Sequence, residues 1–326
     1  MGWNKRTGLL PVAILAAGLL ACAPVWGQNN NNNTAVPGTV NYVEGQVLLD
    51  GQWLTPRSIG YARLNPGQVL DTQQGKAEVL LTPGVFLRVG DNSEVRMVSP
   101  DLVNTKVAVT RGEALLEVSM LMKENHLQIV DDGSQTTIVK DGLYRFVAGN
   151  NPSVSVIEGQ AEVLRGDRNT KVNKDHELLL AQSTKPQKFD KAREDDLYAW
   201  SKLRSNYMAE ANAANVQMVM AGGYPWWGPG WYWSPWYDMY AFMPGYGFWS
   251  PFGYPYLGVG LYGGYGYGGF GNYYHGYHGA VIGHRIAPTA GFRSGAHMAV
   301  AGPGFGGFHG GGFGGFHGGG FGGGRR

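Results

Sequence analysis

The sequence predicts an all-β domain of roughly ten to twelve short strands, arranged as a sandwich or roll, then one amphipathic helix and a largely disordered, low-complexity tail. Three observations predict this order. Short runs rich in Val, Leu and Ile, separated by turn residues, recur across residues 38–190. Residues 191–221 repeat apolar side chains at three- and four-residue steps. Residues 222–326 are dominated by glycine and aromatic residues.

The first 27 residues have the features of an export signal. A basic start at Lys5 and Arg6 precedes an apolar stretch from Leu9 to Ala23. As a helix this stretch would rise about 22 Å, short of the roughly 30 Å hydrocarbon core, so a cleaved signal is favoured over a membrane anchor. We therefore expect an exported bacterial protein of the periplasm, the cell envelope or the medium, whose residues 28–37 form an Asn-rich linker.

Two processing sites compete at the end of this signal. Small residues favour cleavage between Gly27 and Gln28. Cys22 instead follows Leu19-Leu20-Ala21 and resembles the cysteine of a bacterial lipobox, which would make the chain an outer-membrane lipoprotein. Because Cys22 is the only cysteine, neither a disulfide nor a cysteine metal site is expected.

The charge balance disfavours a nucleic-acid partner. Without the signal the chain has 24 basic and 24 acidic residues, because the signal removes two of the 26 basic groups and no acid. We find no nucleophile motif, cofactor fingerprint or zinc signature, and so predict a protein that is not an enzyme and needs no cofactor. Six of the eight histidines lie in the tail, but we expect no fixed metal site there, since unsupported imidazoles bind weakly.

Four similar segments surround Gly45, Gly75, Gly112 and Gly159. Each has a charged or amide residue before the glycine and a run of apolar residues after it. Their uneven spacing argues against a solenoid, so we interpret each as a hairpin with a glycine turn. No helix start follows them, which disfavours phosphate binding.

Gly67–Thr72, Ala77–Leu81, Gly84–Val89 and Val154–Ala161 together resemble motifs of the FecR family. The resemblance spans about residues 38–181 and implies a β-rich periplasmic domain. In the founding system this domain relays a receptor signal to a sigma factor. The family has a Gly-Thr pair where this chain has Gly142-Leu143. Members that control sigma factors carry a regulatory region and a membrane helix before the domain, whereas 37 residues precede it here, so we do not expect direct control of a sigma factor.

Residues 191–221 predict an amphipathic helix that Asp190 can cap and that Gly222-Gly223 ends. Its apolar positions are Leu197, Trp200, Leu203, Tyr207, Ala211, Ala214 and Met218. Packing against the β domain is the favoured interpretation, and the alternative is a helix that binds a partner or a second copy, with Trp200 as its anchor.

The tail contains 35 glycines and 29 aromatic residues among 105. Few aliphatic side chains are present to fill the gaps between rings, so we expect disorder there and expect residues 34–221 to fold without it. The alternative is a flexible adhesive segment whose rings contact polymers, membranes or each other. The candidate contact residues are Trp226, Trp227, Trp231, Trp233, Trp236 and Trp249.

These observations predict an exported, non-enzymatic FecR-like envelope protein that binds a protein partner or another envelope component, in signalling or scaffolding. The alternative is a structural or adhesive surface protein that acts, and associates with itself, through its aromatic tail.

Overall fold

The computed structural model describes residues 1–2, 35–182, 185–189, 195–223 and 226–259. These residues contain eighteen strands and one α-helix, which confirms the predicted all-β class. The strands are β1 (Val40–Leu49), β2 (Gln52–Trp53), β3 (Val69–Leu80), β4 (Val85–Val89), β5 (Ser93–Pro100), β6 (Thr105–Val118), β7 (Gln128–Asp131), β8 (Ser134–Ile138), β9 (Gly142–Ala148), β10 (Ser153–Glu158), β11 (Gln160–Arg165), β12 (Arg168–Asn173), β13 (His176–Leu179), β14 (Gln187–Lys188), β15 (Gly230–Ser234), β16 (Met239–Met243), β17 (Phe248–Trp249) and β18 (Pro255–Tyr256). The helix is α1 (Asp196–Met220).

Fourteen strands form one bent sheet whose main path runs β12-β11-β8-β7-β6-β4-β3-β1-β2. The first part of β6 pairs with β5 and β7, and its second part pairs with β4 and β9. Because the long strand β6 belongs to both halves of the sheet, the halves can face each other across one apolar core. Val95 and Ile129 from one half and Phe146 and Val156 from the other lie in that core.

The four glycine segments differ from the predicted hairpins. Gly45 and Gly75 are register partners within β1 and β3, and Gly112 lies inside β6. Gly45 has a φ of 67°, and a Cβ atom there would lie 2.2 Å from the backbone oxygen of Gln74. These glycines therefore allow long strands to bend at close approach rather than to reverse. Gly159 does separate two strands, β10 and β11.

Helix α1 begins five residues later than the sequence predicts. Its cap is Asp195, whose side chain accepts a hydrogen bond from the backbone N–H of Tyr198 at 2.9 Å. Asp190, the predicted cap, lies outside the described residues. Arg145 on β9 also pairs with Asp195, with 2.7 Å between Nη2 and Oδ1, so the start of the helix is fixed to the sheet.

The buried face of α1 is also different from the predicted one. Leu203 and Tyr207, expected on the apolar face, are 42% and 39% exposed. Leu197, Trp200 and Ala211 are buried as expected. The buried face also contains five polar residues: Ser201, Arg204, Ser205, Asn212 and Asn215. The spacing of apolar residues predicts the wrong buried face because the sheet surface beneath α1 contains charged residues, which pair with polar side chains of the helix.

Residues 226–259 differ from the expected disordered tail, because they fold onto α1 and the sheet. Strands β15 and β16 form an antiparallel hairpin. Trp231, Phe242 and Tyr256 share an apolar cluster with Phe86 of the sheet and Met208 of the helix. Leu80 of the sheet and Met208 of the helix thus add aliphatic and thioether groups to those of the segment's own Met239. We call residues 226–259 the aromatic segment; residues 224–225 and 260–326 of the expected tail lie outside the described residues.

Besides α1, the described residues contain a short 3-10 helix, Pro56–Ser58. Neither helix combines the length and the apolar character that crossing a bilayer requires. Cys22, Gly27 and Gln28, where the two processing sites are predicted, lie outside the described residues.

Candidate functional site

A fully buried ion network lies between the sheet and helix α1. Glu78, Arg88 and Glu117 stand on β3, β4 and β6, and each is 0% exposed. The Nε atom of Arg88 lies 3.0 Å from Oε2 of Glu78, and its Nη1 lies 2.5 Å from Oε2 of Glu117. These three residues alone would leave one uncompensated negative charge.

Arg204 of α1 supplies the missing positive charge. Its Nη2 atom lies 2.9 Å from Oε1 of Glu78, and its guanidinium lies over the ring of Tyr42 at 4.0 Å. Burial alone would raise the pKa of Glu78, but Arg204 and Arg88 together hold it below its ordinary value. Glu78 is therefore ionised at neutral pH, and the two carboxylates are balanced by two guanidinium groups.

The network holds α1 against the sheet and leaves little capacity for acid–base chemistry. Glu117 also accepts hydrogen bonds from Ser119 at 3.1 Å and from Ser205 of α1 at 2.8 Å. Glu78 also accepts one from Asn41 at 3.0 Å. Since donors from the protein occupy every carboxylate oxygen of the network, the arrangement positions a helix and does not present a free base.

Three asparagine side chains fix the aromatic segment in place. Asn41 of β1 accepts a hydrogen bond from the backbone N–H of Tyr240 at 2.8 Å and donates one to its carbonyl at 3.0 Å. Asn212 of α1 accepts one from the N–H of Leu257 at 2.7 Å and donates to the carbonyls of Phe242 and Leu257. Asn215 donates to the carbonyl of Tyr232 at 3.3 Å. These side-chain hydrogen bonds, together with the pairing of β15 with β16, hold the segment in a defined position on the domain.

The structure places Trp200 in the interior. It packs with Leu115 and Leu143 of the sheet, and its ring centroid lies 6.2 Å from that of Tyr42. Its indole N–H donates a hydrogen bond to Glu44 at 2.9 Å. In this position Trp200 attaches α1 to the β domain.

The six tryptophans of the aromatic segment divide into two groups. Trp231 is buried, and Trp226 and Trp233 are half-buried. Trp227, Trp236 and Trp249 are 87%, 75% and 50% exposed. We call these last three the exposed tryptophans. The structure therefore separates rings that build the fold from rings that face solvent, a distinction that composition alone does not make.

The exposed tryptophans lie at three different places in the aromatic segment. Trp236 lies in the turn between β15 and β16. Trp227 lies just before β15, and its backbone N–H donates a hydrogen bond to the hydroxyl of Tyr232 at 2.9 Å. Trp249 lies in β17, next to Phe248, whose ring stacks on Tyr256 at 5.1 Å. Anchored backbones with projecting indoles are suited to contact with an amphipathic or apolar surface.

Sequence reasoning missed the ion network, although the sequence contains a signal for it. Glu78, Arg88 and Glu117 each interrupt an apolar run, in Ala77–Leu81, Phe86–Val89 and Ala114–Val118. A charge inside a run that is otherwise apolar on both faces indicates a strand covered on both sides, with the charge paired.

His126 and His176 are not brought together with other ligands, and the described residues contain no group of three His, Cys, Asp or Glu placed to hold a metal.

Comparisons with known proteins leave the family open. No family model matches the chain, and no curated protein matches it. Two solved structures from Parabacteroides distasonis, each described as a "putative anti-sigma factor", are similar to it. One is 13% identical, covers 47% of this chain and 74% of its own, and has a TM-score of 0.33. The other is 11% identical, covers 53% and 96%, and has a TM-score of 0.34. Likeness at this level establishes neither a shared family nor a shared function.

Proposed function

We propose that this chain is an exported, non-enzymatic binding protein of the bacterial envelope, in which a FecR-like β domain supports an aromatic contact surface. The observation that carries the proposal is the division of the tryptophans. The aromatic segment is held by a shared core and by asparagine hydrogen bonds, yet Trp227, Trp236 and Trp249 project from it. A fold that fixes the segment and leaves these rings exposed supports recognition of an envelope component through them.

The partner is an envelope protein or another component of the cell surface, bound mainly by ring burial. The aromatic segment contains a single charged residue, Asp238, so electrostatic attachment through it would be weak. Contacts made by buried rings persist as the salt concentration rises. We therefore expect binding that salt does not reverse.

Retention in the envelope tests this proposal. The variant in which the three exposed tryptophans are changed to Ser should fold and lose retention, because each removed ring is at least half exposed and the buried Trp231 is kept. Its matched control changes three exposed aliphatic residues outside the aromatic segment, Val98, Leu102 and Leu164, to Ser, and should be retained. Retention of the tryptophan variant at low salt, followed by release at high salt, would refute the proposal and indicate a charge-based attachment.

A further inference from the structure

A carboxyl group lies in the core of the domain without a partner. Asp131 ends β7 and is 2% exposed, and within the described residues neither of its side-chain oxygens has a hydrogen-bond partner. Ser134, its register partner at the start of β8, is 1% exposed, and its hydroxyl likewise has no partner among them. A buried carboxylate without donors is strongly unfavourable, whereas the neutral acid is tolerated.

The backbone explains why the side chain points inward. Asp131 follows Ile129 by two residues, and side chains alternate along a strand, so both face the apolar core that contains Ile129. The turn between the strands is Asp132-Gly133, with φ of 44° and 73°. This two-residue turn of type I′ fixes the register and prevents Asp131 from moving to the outer face while the hairpin is closed.

The charges around Asp131 do not stabilise its ionised form. Asp132 is adjacent and repels it, and Val109 is the residue of β6 nearest in register. Arg111, two residues further along β6, already pairs with Asp71 and with Glu94.

The neighbouring strand β11 gives no closer counter-ion. Val163 of β11 pairs with Thr136 of β8, and both are buried. Arg165, two residues further along β11, is exposed at the end of that strand. Desolvation and Asp132 together raise the pKa of Asp131 to about 7, which lies inside the physiological range.

We propose that Asp131 is a proton-operated lock on the β7–β8 hairpin. As a neutral acid it remains in the core and the hairpin is closed; once ionised it must reach water, and the hairpin opens. The hairpin is suited to this role because β7 joins β6 through only three register pairs, from Lys106–Gln128 to Ala108–Val130. Opening would uncover Ile129 and Ile138 at one end of the core.

The structure gives the size of the effect. In an opened hairpin Asp131 would have an ordinary pKa of about 4, so opening is linked to loss of a proton. With a closed-state pKa of about 7, the equilibrium constant for opening rises roughly 80-fold between pH 5 and pH 8. Below pH 4 both states are protonated, and the dependence disappears.

Hydrogen exchange of the full chain at pH 5 and pH 8 tests the lock, after each amide's rate is divided by its intrinsic rate. Protection of β7 and β8 should fall by one to two orders of magnitude at pH 8, while β4 should change little. Asp131→Asn, a neutral side chain of the same shape, should remove the pH dependence. The matched variant Asp132→Asn, at an exposed position, should keep most of it.

Three results would overturn the proposal: equal protection of the wild-type hairpin at both pH values, a pH-dependent loss shared equally by β4, or a response that survives in Asp131→Asn. If Asp131→Asn does not fold, the comparison of β7–β8 with β4 in the wild type and in Asp132→Asn still decides between a local lock and a global effect.

Discussion

Changing Arg204 to Met should destabilise the protein far more than the loss of an exposed ion pair would. The substitution keeps much of the side-chain volume but leaves Glu78 and Glu117 to share Arg88 alone, with one uncompensated charge in a site where Glu78 is 0% exposed. Breaking a buried pair by removal of one partner costs about 3–5 kcal/mol of unfolding free energy. Arg111→Met removes a half-exposed guanidinium from Asp71 and Glu94 and should cost about 1 kcal/mol or less.

Urea unfolding at two pH values provides the assay. In the wild type the lowered pKa of Glu78 contributes stability above its ordinary pKa of about 4.5, and that contribution is lost as the pH falls through the folded-state value. In Arg204→Met the carboxylate of Glu78 keeps Arg88 but loses its second guanidinium partner, so protonation removes the uncompensated negative charge. The difference between variant and wild type should therefore shrink from pH 7 towards pH 4. An effect no larger than that of Arg111→Met, or one independent of pH, would refute our account of how α1 is held.

Two further pairs of substitutions test the packing. Gly45→Ala should lower the melting temperature more than Gly133→Ala, because both glycines have a positive φ but only the Cβ at Gly45 would meet neighbouring backbone, at 2.2 Å; equal losses would show that backbone strain alone matters. Trp231→Ala should cost about 3–5 kcal/mol in a denaturant titration, because the ring is buried beside Phe86 and Phe242 at centroid distances of 5.2 and 5.6 Å. Trp227→Ala should change stability by about 0.5 kcal/mol or less, and a similar loss for both variants would contradict the division of the rings.

The sequence was sufficient for the β class because alternation and turn residues are local. The run Val40–Leu49, rich in Val and Leu, forms β1, and the turn residues Gly90-Asp91-Asn92 separate β4 from β5. The segments around Gly45, Gly75 and Gly112 differ from the prediction, because a glycine between two apolar runs looks the same whether the chain reverses or bends. Only the long-range pairing of Gly45 with Gly75 decides between these possibilities.

The candidate site was only partly predictable. The exposed tryptophans were among the predicted contact residues, but composition treats Trp227 and Trp231 alike. Their different burial depends on Phe86 and Met208, which lie on elements remote in sequence. The polar face of α1 was missed for the same reason, because Arg204 is buried by a carboxylate on β3 and not by any feature of the helix itself.

The thermal unfolding of two shortened chains tests most directly whether the aromatic segment belongs to the folded unit. A chain that ends at Val259 keeps every described contact, and we predict that it melts in one cooperative transition. A chain that ends at Gly223 exposes Leu80, Phe86 and Met208, which pack against the segment, and should lose more than about 5 kcal/mol or show no cooperative transition. Equal melting temperatures for the two chains would contradict the account and favour the expectation that residues 34–221 fold alone.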